Sequence, residues 1–192
     1  NSYSPQGTHP DTPPALKGTQ AVALDPNTGD VYLAQDAVLG RWNRSTNTVQ
    51  TLGPGGPDAW GGEAASAFDT ARSRILFAGG FLDDHHYYTL SNNTWTAITF
   101  TGANAATMTS DKMGMFYVPS LDRFLARTAS AGGTIFQINP STFEVTTLPT
   151  TGGSTIPSTQ NGPYNKFLYL PRLGGAVYVP TYDGNAWFLR LH

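Results

Sequence analysis

Apolar positions along this chain never recur at the i, i+3, i+4, i+7 spacing of a helix face for three turns. Instead, β-branched and aromatic residues come in runs of four to six, cut by Gly, Asn, Asp, Ser and Pro, the pattern of short strands joined by tight turns. The clearest unit spans residues 63–101. It predicts strands over 65–68, 74–78, 86–90 and 95–100, separated by a turn at 69–73, a Gly79-Gly80 break and a turn at 91–93.

The same layout returns three times. Strands are predicted over 20–24, 30–34, 40–43 and 48–52, then over 115–118, 123–127, 134–139 and 143–148. A last set covers 166–170, 176–179 and 186–191, one strand short of the others. The residues opening each first turn are Asp25, Asp69, Pro119 and Pro171, at intervals of 44, 50 and 52 residues. Four strands repeating every 40–50 residues or so are the mark of propeller blades. A lone four-stranded sheet cannot bury its apolar residues, but sheets stacked around an axis cover one another. That explains why Ile75, Leu76 and Phe77 are apolar in succession rather than alternating.

The expected fold is therefore all-β: a four-bladed β-propeller of four-stranded antiparallel meanders. Its blades fall at about 20–54, 63–102, 113–150 and 164–192 within a propeller domain of 19–192. The competing arrangement is a two-sheet sandwich of about fifteen strands, which needs no period. Residues 1–18 form a proline-rich arm with Pro5, Pro10, Pro13 and Pro14. The arm is the one available donor of a strand to complete the last blade, because an open edge invites unwanted pairing. It could equally complete a neighbour's blade and so join copies into a homo-oligomer, or the chain could be the last part of a larger propeller.

Residues 67–98 resemble a kelch-type repeat. Their first strand ends in Asp69, a small-residue turn follows, an apolar strand ends in Gly79-Gly80, and Tyr87 and Tyr88 precede Trp95. The segments 24–34 (with Trp42) and 138–149 echo it in part. Blade count and length also resemble hemopexin-type propellers, but the cysteine pair that usually closes that family is missing. The copper-radical oxidases built on kelch propellers need a cysteine cross-linked to tyrosine, which this chain of zero Cys cannot supply.

Composition narrows the function. Charged residues are 12% of the chain, and Gly (21) and Pro (14) are abundant, as many tight turns require. A net charge of −2 argues against a nucleic-acid partner. No run approaches a membrane span. Without cysteine there is neither a disulfide framework nor a thiolate metal site. Asn43-Arg44-Ser45 and Asn92-Asn93-Thr94 are glycosylation acceptors in equivalent turns of successive repeats, which points to secretion, and the chain starts at Asn1 rather than Met, as a processed mature protein or an excised fragment would.

In a propeller, loops between strands two and three share one end with the links between blades. That link end gathers Asp36, Asp58, Trp60, Glu63, Asp83, Asp84, His85, Tyr164, Tyr182 and Asp183. The opposite turn end gathers Arg44, Arg72, Arg74, Arg123 and Arg172 with both acceptor asparagines. Glycans at Asn43 and Asn92 would shield the turn end and leave the link end for a ligand. Trp60, flanked by glycines, suits an aromatic platform, with Asp58, Glu63, Asp83, Asp84, Tyr164, Tyr182 and Asp183 as polar or stacking neighbours. Its alternative role is to plug a gap between blades. Asp83-Asp84-His85-His86 is not expected to hold a metal, since adjacent strand residues point to opposite faces, and no cofactor is expected. The function these residues suggest is non-catalytic, extracellular binding of a carbohydrate or protein at the Trp60 end. The alternatives are a structural subunit joined through residues 1–18, and a glycoside hydrolase using a pair among Asp58, Glu63, Asp84 and Asp183.

Overall fold

A computed structural model of the chain describes residues 21–35, 38–52, 56, 64–79, 85–108, 112–129, 132–151, 156, 157, 159 and 162–191. The arm over 1–18 lies outside them. The first sheet runs β1 (Ala21–Leu24), β2 (Val31–Gln35), β3 (Val38–Asn43), β4 (Thr48–Leu52). The second runs β5 (Ala64–Asp69), β6 (Arg74–Gly79), β7 (His86–Thr89), β8 (Thr94–Ala97). The third is β9 (Met113–Val118), β10 (Arg123–Thr128), β11 (Phe136–Ile138), β12 (Val145–Thr147). The fourth, β13 (Phe167–Leu170), β14 (Gly175–Tyr178) and β15 (Trp187–Arg190), has three strands among the described residues.

Every pairing between these named strands is antiparallel and joins sequence neighbours, with registers such as Phe68↔Ile75 and Ile75↔Tyr88. The sheets stand as four blades of a β-propeller, and the sandwich alternative falls away. β1 packs on β5, β5 on β9 and β9 on β13. These four innermost strands line a central channel of about 800 Å³.

The apolar run in β6 divides between two interfaces. Ile75 and Phe77 join Ala21, Tyr32 and Leu39 in the core between blades 1 and 2, whereas Leu76 and Ala78 join Met115, Phe124 and Ile138 between blades 2 and 3. Successive side chains leave opposite faces of a strand, so a sheet covered on both sides needs apolar residues at every position. At roughly 25 cal/mol per Å² of apolar surface, each such side chain contributes about 1.5–3 kcal/mol. On β1 the face turned from blade 2 is open instead: Ala21 and Ala23 are buried, while Val22 and Leu24, alternating with them, are exposed along the channel.

The hairpin turns at one end share a geometry. A strand-ending Asx side chain accepts turn amides: Asp69 Oδ1 from Ala71 and Arg72 (both 3.1 Å), Asn139 Oδ1 from Ser141 (2.8 Å) and Thr142 (3.2 Å). The turn then closes on a left-handed residue, among them Gly29, Asn47, Ser73, Asn93, Asp122 and Phe143. Links between blades cover outer edges. Thr101 bridges Glu144 in parallel along blade 3, so that the edge of β12 is not left open.

Candidate functional site

Of the turn-end arginines, Arg72 and Arg74 are paired with carboxylates. Arg72 in the first turn of blade 2 donates to both carboxylate oxygens of Asp122 in blade 3, at 2.7 and 2.8 Å. Tyr117 donates to the same carboxylate at 2.6 Å. The Arg72 and Tyr117 donors hold the Asp122 carboxyl well below the usual range. Burial, and then the Asp122 acceptor, push the Tyr117 hydroxyl up to about 12. Arg74 reaches the fully buried Asp69 at 3.1 Å and the Pro140 carbonyl, and its guanidinium lies over the Tyr87 ring. In blade 1, Arg41 grips Asp30 through Nε (2.8 Å) and Nη2. Burial alone would raise the Asp30 carboxyl, but the Arg44 amide and Arg41 outweigh it and lower it.

Both acceptor asparagines sit in hairpin turns at this end. Asn43 Oδ1 takes hydrogen bonds from Ser45 Oγ (2.7 Å) and Thr46 N (3.0 Å), and Asn92 is exposed with its Oδ1 2.7 Å from Thr94 Oγ1.

The link end is different. Tyr164 lies in a 3-10 turn, Tyr164–Lys166, that leads into β13, and it lines the channel. Gly114 sets its position, because a Cβ there would stand 2.5 Å from the Tyr164 carbonyl oxygen. Tyr182 and Asp183 occupy the turn between β14 and β15, where Tyr182 is 100% exposed and Asp183 is exposed too. Asp58, Trp60, Glu63, Asp83 and Asp84, with Asp36, lie outside the described residues. The structure thus shows three members of the expected docking surface, Tyr164, Tyr182 and Asp183, and of the four candidate hydrolase carboxylates it describes Asp183.

His85, grouped by sequence with these loops, is buried. Its Nδ1 accepts from the Gly79 amide at 3.3 Å and its ring lies 4.7 Å from Phe100. Among the described residues no group of His, Asp and Glu could hold a metal ion, and no helix is long and apolar enough to cross a membrane.

Sequence reasoning missed one residue near this end. Arg127, on the strand β10 that runs toward the link end, is 1% exposed. Nothing local marks it, since an arginine ending an apolar strand reads as a solvated terminus.

Comparison with known proteins bears on the fold. No family model matches the chain, and no curated protein matches it. The kelch-type resemblance of 67–98 therefore has no family match behind it. Solved structures do match. A chain of Kuenenia stuttgartiensis hydrazine synthase is similar over 98% of this chain at 13% identity and a TM-score of 0.56. A chain of the nidogen/laminin complex is similar over 90% at 13% identity and a TM-score of 0.56. An auxiliary nutrient binding protein from Bacteroides thetaiotaomicron is similar over 90% at 10% identity and a TM-score of 0.54. This chain spans 49%, 60% and 44% of their respective lengths. At such identities the likeness is one of fold, a β-propeller.

Proposed function

We propose that this is a non-catalytic extracellular propeller that binds a carbohydrate or protein ligand on its link end. The observation that carries the reading is the complete exposure of Tyr182 beside Asp183. An aromatic ring held in water on a short hairpin turn contributes nothing to the core, while it offers a stacking face and a hydroxyl to a partner. The turn end supports the same reading by contrast, as Arg72 and Arg74 there are engaged by Asp69 and Asp122. The two acceptor asparagines there fit a glycan-shielded, secreted protein. Trp60, Asp58, Glu63, Asp83, Asp84 and Tyr164 complete the proposed surface. Two structural neighbours are of related character, an auxiliary nutrient binding protein and a chain of the nidogen/laminin complex.

The test is an array of oligosaccharides and extracellular matrix proteins probed with the purified chain. Binding lost on Tyr182→Ala or Trp60→Ala, with melting unchanged, is the expected result; binding untouched by both substitutions would remove the link end from consideration. Hydrolysis of an arrayed glycoside, lost on Asp183→Asn or Asp58→Asn, would turn the reading to an enzyme.

A second reading, a subunit of an extracellular assembly joined through residues 1–18, is favoured by Val22, Leu24 and Leu168, apolar positions of the first and last blades left exposed along the channel, which an added segment would cover. Sedimentation that stays monomeric at all concentrations would end it.

A further inference from the structure

The chain builds one kind of joint three times. Each blade turns one face toward the next, and a buried apolar cluster fills the space between blades 1 and 2, 2 and 3, and 3 and 4. The innermost strands β1, β5, β9 and β13 pack in succession. Among the described residues, neither packing of that extent nor a buried cluster joins blade 4 back to blade 1. Blades 1 and 4 therefore each keep one sheet face bare.

The strand registers place particular side chains on these faces. On blade 1, Leu24, Val31, Trp42 and Val49 form a row across all four strands, and Val22 and Leu33 belong to the next row. Their neighbours Ala21, Ala23, Tyr32 and Ala34 are buried against blade 2, so alternation sends these rows the other way. On blade 4 the corresponding row is Leu168, Val177 and Phe188, and the Phe188 ring crowds Gly175 so closely that no Cβ fits there. Leu168 and Phe188 are each 48% exposed, whereas Phe167, Ala176 and Tyr178 on the other side of the same sheet are at most 3% exposed. Val22 and Leu24 are 47% and 56% exposed. Among the side chains that the registers place on the two faces, Arg190 is the one charge, and it is exposed on the last strand of blade 4. Soluble proteins rarely leave contiguous apolar surface of this kind open to water.

We propose that a second copy of this chain covers both faces, with the bare face of blade 4 in each copy packing on the bare face of blade 1 in the other. The two faces are the leading and trailing halves of the joint that the chain already makes internally, so each copy carries what the other lacks. Val22 and Leu168 sit at the same place in their strands, three residues before the first turn opens at Asp25 and Pro171. Two copies joined in this way complete a ring of eight blades, within the usual range of four to eight, and leave no face over. With strands roughly 4.8 Å apart and about five residues long, one joint between a four-stranded and a three-stranded face buries roughly 500 Å² in total, no more than a crystal contact. Two joints bury roughly 1,000 Å², the least that a specific interface needs. The area thus favours closure into a pair over an open string of copies. This pairing rests on the second reading above, that the chain assembles, and places the joint on the blades instead of the arm.

The experiment is sedimentation of the full chain from about 1 μM to about 1 mM, a span that reaches weak association. The expected result is a monomer–dimer equilibrium with no larger species. Val22→Lys and Leu168→Glu, both at half-exposed positions, should each weaken the dimer about tenfold or more with melting unchanged, because a charge would be buried without a partner. An equimolar mixture of the two variants should recover the dimer, since one joint is then unaltered and the other sets Lys against Glu. Leu16→Asp in the arm should leave the dimer as it is. Monomers throughout, or association beyond the dimer, would overturn the proposal, and this part needs no variant to fold. So would a dimer indifferent to both blade substitutions, or one that mixing does not recover, the mark of two like faces meeting. A dimer that Leu16→Asp abolishes and Val22→Lys does not would return the joint to the arm, overturning the pairing while the assembly reading stands.

Discussion

Arg72 and Asp122, fifty positions apart, form a two-pronged ion pair that ties blade 2 to blade 3, with Nη1 2.7 Å from Oδ1 and Nη2 2.8 Å from Oδ2. Asp122 also occupies a left-handed turn position. Its side chain is 48% exposed, so solvent screens the charges and the pair contributes about 1 kcal/mol rather than the several of a buried one. The carboxyl titrates below its unfolded value, so this stability is complete above about pH 4 and is lost as pH falls toward the depressed value. Arg72→Met should cost about 1 kcal/mol near pH 6 and progressively less below about pH 3, read by urea unfolding across that range.

Tyr117 shows the opposite dependence. Its hydroxyl is pushed up to about 12 by burial and by donating to Asp122. The folded state thus resists its ionisation, and that stability is present below about pH 10 and lost as pH rises toward 12. Tyr117→Phe should flatten the fall in melting temperature over this alkaline range, and should remove the latest-titrating component from an ultraviolet titration of the tyrosines.

Ile75 and Leu76 are neighbours in sequence that serve different interfaces, and both are essentially unexposed. Alanine at either position should cost about 2–5 kcal/mol in chemical denaturation, through lost burial and the cavity left behind. The equal cost is the point. A strand with one solvent face would show one large effect and one near zero.

Gly114 is required by a close approach rather than by its backbone angle. The Cβ of Gly114→Ala would meet the Tyr164 carbonyl at 2.5 Å, forcing the 3-10 turn before β13 to shift. A loss of about 1–3 kcal/mol is expected, read as a lower melting temperature, with Gly114→Val worse.

Tyr182→Ala should leave stability within about 0.5 kcal/mol of the parent, because the ring touches nothing that holds the fold. Any effect of this substitution on binding is then an effect on the surface itself, as the array experiment requires.

What could be read directly from the chain was its local order. Asp25, Asp69 and Asn139 announce turns because their side chains satisfy the turn's own amides. The β-branched runs between them are strands for reasons of local sterics and pairing. The period of these units implied blades, since one sheet alone cannot cover Ile75 and Leu76 together. Tertiary structure decided which neighbour each of those residues meets, why His85 leaves the exposed loops to pack on Phe100, and that Arg72 finds Asp122 one blade away. It also decided that Arg127 is enclosed rather than solvated. Each of these depends on groups far apart in sequence being brought within a few ångströms. A strand's alternation says only that a side chain leaves one face or the other, never what will be waiting there.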